Sequence, residues 1–423
     1  MERTKHPAVL IHGLFGWGKQ TPFYNWGPNY WPVKDLDAVN PNYVLVEVGV
    51  ASSDHDRACE VFYQLMGGRV DYGEAHAIEK KHARYGKTYA TALHPTWSAA
   101  NPVHLFGHSY GATTALELYQ LICTNYFHVG SDYTWVKSIV SIAGPLSGAT
   151  MSHMCGLRDD LTIEAGSINH LLSIVVSTLW KLQQVFPFLE NVYPIRMPQW
   201  LAYCRWSTIF SVNNMPLKTG DSAFDCLLPA YRFARNSQLV HMDKVHLMSI
   251  VSKDDETTSL HVVDVAGLLL IALLWRRRQK HKWLLGLVAV VMLQRLRSVD
   301  IAKLPFVLTH ILRWHATTTS KPIYEGFEKD KWAANDGVVN TYSMLCPRYC
   351  ETYPAQSSMP KQDIARIPSH VSIDMSDPVQ VLPTGMWHVY RVAKNHFCGT
   401  AGDRDARELY TKLFRLLNMA KEG

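Results

Sequence analysis

Nowhere in its 423 residues does this chain carry an apolar run long enough to cross a bilayer as an ordinary helix. Its two longest runs, residues 265–275 and 283–293, each cover only about 17 Å at helical rise, against a hydrocarbon core of roughly 30 Å. Fixed-period repeats and low-complexity tracts are also lacking, which removes solenoids and disordered linkers. Cysteine is sparse: eight residues scattered over the chain do not make a disulfide scaffold. The pair Cys346 and Cys350 has the spacing of a metal half-site, but no second pair accompanies it, so free, mostly buried thiols are expected. The formal charge of +6 is unevenly distributed. Arg276, Arg277, Arg278, Lys280 and Lys282 fall within seven positions and leave the remainder nearly neutral. That pattern argues against a broad nucleic-acid face and for one local contact with something anionic. No apolar signal stretch precedes the first strand-like segment, so an intracellular location is the expectation.

What is present alternates between strands and helices. Residues 8–11 form a short apolar run that ends in His12-Gly13, a buried strand followed by a turn. Residues 103–106 form a second strand and run into Gly107-His108-Ser109-Tyr110-Gly111, then a helical pattern with Ala115, Leu116, Leu118, Leu121 and Ile122. Residues 138–143 and 245–251 read as two further strands. Strands separated by helices favour a mostly parallel sheet with helices on both faces.

Two segments stand apart from that scheme. Ile168, Leu171, Leu172, Val175, Leu179 and Leu182 recur at helical spacing, with Pro187 near the end. Such a helix packs its stripe on a core, or covers an apolar site as a lid. The two short apolar runs flanking the basic cluster make a hairpin that is either buried or dimer-forming, or lies along a membrane or droplet surface with its basic residues on headgroups.

The chemistry centres on Gly107-His108-Ser109-Tyr110-Gly111, which fits the nucleophile elbow Gly-x-Ser-x-Gly. The serine must occupy a strained strand-to-helix turn, and the flanking glycines let the backbone pass without Cβ clashes. The pattern follows an expected strand and opens an expected helix, the context the mechanism requires. Acyl transfer also needs donors for the developing oxyanion, and the backbone N–H groups of Leu14 and Tyr110 are suitably placed. The acid and the histidine follow later in this architecture. Asp336 lies in the turn Asn335-Asp336-Gly337, while His370, His388 and His396 compete for the role of base.

The segments Ser52-Ser53-Asp54-His55-Asp56-Arg57-Ala58-Cys59-Glu60, residues 64–73, Ala75-His76 and residues 82–86 resemble the zinc-containing lipases, thermoalkalophilic bacterial enzymes with plant and other eukaryotic relatives. The stretches 12–18 and 332–341 match the same family, as do Gly385-Met386-Trp387 and Asn395-His396; only about 260–300 falls outside it. The resemblance implies an α/β-hydrolase fold with Ser109 as nucleophile, Asp336 as orienting acid and His396 as base, and makes His388 structural. It also implies one structural zinc held by Asp56, His76, His82 and, less securely placed, Asp225. Two imidazoles and two carboxylates close a tetrahedral shell. His76 and His82 are six apart, so a break must bring them together. Bacterial members hold calcium near the base; here Cys398 and Arg404 stand at two of the matching positions beside Asp403, and no calcium is expected.

The resulting expectation is one catalytic domain over 1–423, with a zinc-binding segment at 52–90, lid helices at 150–225 and an inserted hairpin at 260–300. It would hydrolyse acylglycerols at a lipid interface through an acyl-enzyme, with residues 262–297 as a peripheral membrane or droplet contact. A phospholipase, thioesterase or sterol-ester hydrolase would use the same triad. A catalytically idle, zinc-stabilised membrane-binding protein is the alternative from another class, and the full Ser, Asp and His set counts against it.

Overall fold

A computed structural model describes residues 3–158, 160–200, 205–212, 220–254, 309, 311–316, 327–349, 369–376 and 382–419. The hairpin expected at 260–300 and Cys350 lie outside the described residues. Within them, seven strands form one sheet: β1 (Ala8–Ile11), β2 (Tyr43–Leu45), β5 (Val103–His108), β6 (Val136–Ile142), β7 (His246–Ser252), β8 (His370–Ser372) and β9 (Trp387–Val392). Their order is β2-β1-β5-β6-β7-β9-β8, and every neighbouring pair is parallel. A separate antiparallel pair joins β3 (Gly68–Asp71) to β4 (Tyr85–Tyr89).

The parallel arrangement follows from strands that are apolar on both faces. Val9, Ile11, Leu105, Ile139 and Leu247 point to one side, against Ala58, Val61 and Leu65 of α1 (Asp54–Met66). Ala8, Leu10, Phe106, Val140 and Met248 point to the other, where Leu409, Leu413 and Phe414 of the C-terminal helix Ala406–Met419 cover them. The period of two along each strand thus supplies two cores, one per face. Chain order breaks at β1, which lies between β2 and β5. Such a switch leaves a crevice beyond the carboxyl ends of the strands, where the conserved geometry of open α/β sheets puts a site. This is an α/β-hydrolase arrangement.

The helix expected at 168–182 is present as Ile168–Val185, but it turns its stripe the other way from a core-packed helix. Its buried positions are Asn169, Ser173, Ser177, Trp180 and Gln183, whereas Ile168, Leu171, Val175 and Leu179 are 36–53% exposed. The polar side can face inward because its groups find partners there. Asn169 donates to the Ser152 carbonyl at 3.4 Å, and Gln183 to that of Tyr193 at 2.6 Å. Leu172, Ile174 and Val176 on its flanks pack into clusters that include Leu14 and Phe15. Among the described residues, no helix is long and apolar enough to cross a membrane.

Candidate active site and metal cluster

At the end of β5 the chain turns sharply into α3 (Tyr110–Cys123), and Ser109 takes the strain of the turn with φ 54° and ψ −128°. A non-glycine residue in that region is held only where its surroundings over-determine it. The surroundings here are tight. A Cβ on Gly107 would meet the Ala112 nitrogen at 2.3 Å, and one on Gly111 would meet the Ile11 carbonyl oxygen at 2.0 Å. At both positions of the elbow a side chain would force the backbone to shift.

Two distant loops reach this serine. His396, four residues beyond the end of β9, brings Nε2 to 2.8 Å from Ser109 Oγ. Its Nδ1 lies 2.8 Å from Oδ2 of Asp336, in the turn after Asn335. Asp336 is fully buried, yet its carboxylate is well satisfied. Oδ1 accepts from the N–H groups of Val338 and Val339, at 3.1 and 2.9 Å, and Oδ2 also accepts from Ser252 Oγ at 2.6 Å. Burial favours the neutral acid, but His396 and these hydrogen bonds outweigh it and lower the pKa below the ordinary carboxylate range. Of the histidines that compete in the sequence, His388 lies within β9 with Nδ1 on the Leu247 carbonyl, and His370 sits on exposed β8.

The oxyanion side is equally defined. Tyr110 opens α3, where a first-turn N–H has no acceptor within its own helix. Leu14 follows β1; the N–H groups on either side of it are engaged, Gly13 with the Tyr30 hydroxyl and Phe15 with the Val50 carbonyl. Behind this loop lies a fully buried cation that sequence reasoning did not single out. Arg57 donates to the His12 carbonyl and lies 4.5 Å over the Tyr110 ring.

A second cluster gathers Asp56 from α1, His76 from α2 (Glu74–Lys80), His82 and Asp221. His76 Nε2 is 3.2 Å from Asp56 Oδ1 and 3.3 Å from Asp221 Oδ1; His82 Nε2 is 3.6 and 3.4 Å from oxygens of the same pair. Lys81, left-handed at φ 60°, ends α2 and supplies the break that brings His82 alongside His76. The His82 Nδ1 contacts the Ala83 carbonyl at 2.9 Å, which leaves its Nε2 lone pair facing the cluster. Asp56 Oδ1, His76 Nε2, His82 Nε2 and Asp221 Oδ2 are buried without a hydrogen-bond partner. Four inward-facing orphan atoms of this chemistry fit a cation at their centre. Without one, burial opposes charge on His76, but the two carboxylates raise its pKa to about 10.

Asp225 is not in this cluster, which corrects the expected ligand set. Its Oδ2 accepts from Ser222 N at 3.1 Å and Ser222 Oγ at 2.6 Å, while Ser222 Oγ caps the Asp225 N–H; together they close a capping box on the short helix Ala223–Cys226. The aspartate that reaches the imidazoles is Asp221. The Ser-x-x-Asp pattern at 222–225 was the available signal that Asp225 is occupied elsewhere. Nothing comparable marks Ser252, or Gln199, whose Nε2 donates to Asp56 Oδ2 at 2.6 Å. Near the base, Asp403 is paired with Lys394 at 2.6 Å.

Residues 4–156 match the family model described as Lipase-like, C-terminal domain. Over 117 residues, 26% of this chain, it is 41% identical to Lipase 2 of Staphylococcus aureus, and over 176 residues, 36% of the chain, 36% identical to Lipase 1 of that species. These stretches span only 16% and 26% of the two relatives' lengths. Lipase 1 from Pelosinus fermentans shares the fold at a TM-score of 0.64 and 21% identity, covering 98% of this chain and 99% of that one. The first third of the chain is thus similar in sequence to bacterial lipases, and the fold it shares with one of them extends over nearly its whole length.

Proposed function

We propose that the chain is a serine-dependent lipase that cleaves acylglycerol esters at a lipid interface. The single observation that carries this reading is the line Ser109 Oγ, His396 Nε2, His396 Nδ1 and Asp336 Oδ2, with 2.8 Å at each hydrogen bond. His396 takes the proton as Ser109 Oγ attacks the ester carbonyl, and the Leu14 and Tyr110 N–H groups stabilise the oxyanion. Collapse of that intermediate expels the alcohol, protonated by His396, and leaves an acyl-serine. His396 then activates a water that releases the fatty acid. Asp336 stays ionised throughout and holds the imidazole in the tautomer that presents a bare Nε2 to the serine.

Zinc is the metal that two imidazoles and two carboxylates suit in a closed shell. Bound by Asp56, His76, His82 and Asp221, it would supply structure and no open position for chemistry. Support for interfacial work comes from the outward stripe of the helix Ile168–Val185, continued by Phe186 and Phe188 and accompanied by Phe210 at 75% exposure. Lipid contact would favour each half-exposed side chain by about 1 kcal/mol, enough to bias adsorption but not to anchor the protein permanently.

Ser109→Ala tests the reading. Ester cleavage should fall by about 10⁴-fold or more and fluorophosphonate labelling should vanish, with the melting temperature nearly unchanged. A variant that cleaves p-nitrophenyl esters at the parent rate would overturn it.

A further inference from the structure

Tyr30 and His108 take no part in the mechanism above, yet they link the oxyanion loop to the base. The Gly13 N–H contacts the Tyr30 hydroxyl at 2.9 Å, that hydroxyl lies 2.6 Å from His108 Nδ1, and His108 Nε2 lies 2.9 Å from the His396 carbonyl. With His108 neutral, only one assignment of protons satisfies all three contacts. The His396 carbonyl is acceptor only, so His108 Nε2 carries the hydrogen. Burial, and then the neighbouring His396, push the His108 pKa down to about 3, which keeps the ring neutral and Nδ1 bare. The Tyr30 O–H must therefore donate to Nδ1, and its oxygen accepts from Gly13. The chain runs with a single polarity from the oxyanion loop to the main chain of the base, an arrangement in which each bond strengthens the next.

The contacts around this chain fit the same purpose. A Cβ on Gly13 would meet the Tyr30 hydroxyl and Ser109 Cβ, both at 2.8 Å, so the loop rests directly on the tyrosine and the nucleophile. The main-chain carbonyl of Tyr30 accepts from Ala401 N at 2.9 Å, a second tie to the segment that follows His396. The backbone of His396 is thus held on both sides: its N–H by the Asp336 carbonyl at 3.0 Å, its own carbonyl by His108.

We propose that Tyr30 and His108 form a positioning strut that keeps the oxyanion donor Leu14 and the base His396 in register with Ser109. The inference rests on the hydrolase reading above. Tyr30→Phe, His108→Leu and the double variant, assayed on a soluble short-chain p-nitrophenyl ester, test it. Each single change should lower kcat about tenfold, the rate equivalent of one neutral hydrogen bond, with KM nearly unchanged. The double variant should be no slower than the worse single one, because either change breaks the same connection. Additive losses, or singles that keep the parent kcat, would overturn the strut while leaving the hydrolase reading intact. A parent chain without esterase activity or serine labelling would remove both. Nitrogen-15 spectra of the parent chain give a test that does not depend on the variants folding. His108 should be neutral and protonated on Nε2 across about pH 5–8; a ring protonated on Nδ1, or one that titrates in this range, would refute the assignment.

Discussion

Ser252 and His396 donate to the same carboxylate oxygen, Oδ2 of Asp336, at 2.6 and 2.8 Å. Ser252 ends β7 and His396 follows β9, the strand beside it, so the sheet itself sets the distance between the two donors. The acid is therefore held in place by a hydroxyl that touches neither the nucleophile nor the ester.

Removing that hydroxyl should act through pH. The Asp336 pKa is lowered in the folded chain, so its contribution to stability is fully present above the ordinary carboxylate range and is lost as pH falls through the lowered folded value. Ser252→Ala takes away one hydrogen bond to the charged form and moves that folded value upward. The melting temperature of the variant should begin to fall at a higher pH than the parent's in a series from about pH 3 to 7. Coincident curves would mean that the Ser252 contact does not stabilise the carboxylate.

The two aspartates flanking Ser222 should separate cleanly. Asp221→Asn should release zinc, measured by metal analysis after gel filtration, and lower the melting temperature. Asp225→Asn should keep the metal near one equivalent and cost about 1 kcal/mol, the scale of a lost helix cap. The opposite result would restore Asp225 as a ligand.

Asp336→Asn keeps the shape of the acid but no longer favours the tautomer with a bare Nε2. A loss of about 10⁴-fold in kcat with KM little changed is expected from steady-state kinetics on a soluble ester. A loss under tenfold would assign the orienting role elsewhere.

Leu171→Asp with Val175→Asp places charge on the outward stripe of the helix Ile168–Val185, where the parent side chains are 45% and 53% exposed. Hydrolysis of an emulsified long-chain triacylglycerol should drop severalfold, together with sedimentation on lipid vesicles, while hydrolysis of a soluble short-chain ester and the melting temperature stay near the parent's. An equal drop on both substrates would make the stripe a packing surface. Deleting 262–297 should likewise spare the soluble ester and weaken sedimentation with anionic vesicles; unchanged binding would remove that segment from the membrane contact.

Much of this was legible in the linear chain because it depends on local rules. An elbow of Gly107, Ser109 and Gly111 between an apolar strand and a helix is a short-range pattern, and strands apolar on both faces announce a parallel sheet before any coordinates. Asp56, His76 and His82 were readable because their surroundings resemble a known family over a long block. Other features depend on what meets in space. Whether His370, His388 or His396 faces the serine is settled by how β9 sits beside β7, which residue patterns do not express. Asp221 rather than Asp225 joins the imidazoles because the latter, four residues on, is consumed by the cap of the helix Ala223–Cys226. The stripe at 168–179 has the same periodicity whether it faces a core or solvent; only the partners found by Asn169 and Gln183 turned it outward. Sequence alone determined which chemistry-bearing side chains exist and where the chain bends, since both follow from nearest neighbours. Tertiary structure decided which of them share a hydrogen bond, because an atom can satisfy only the partners that packing brings within about 3 Å.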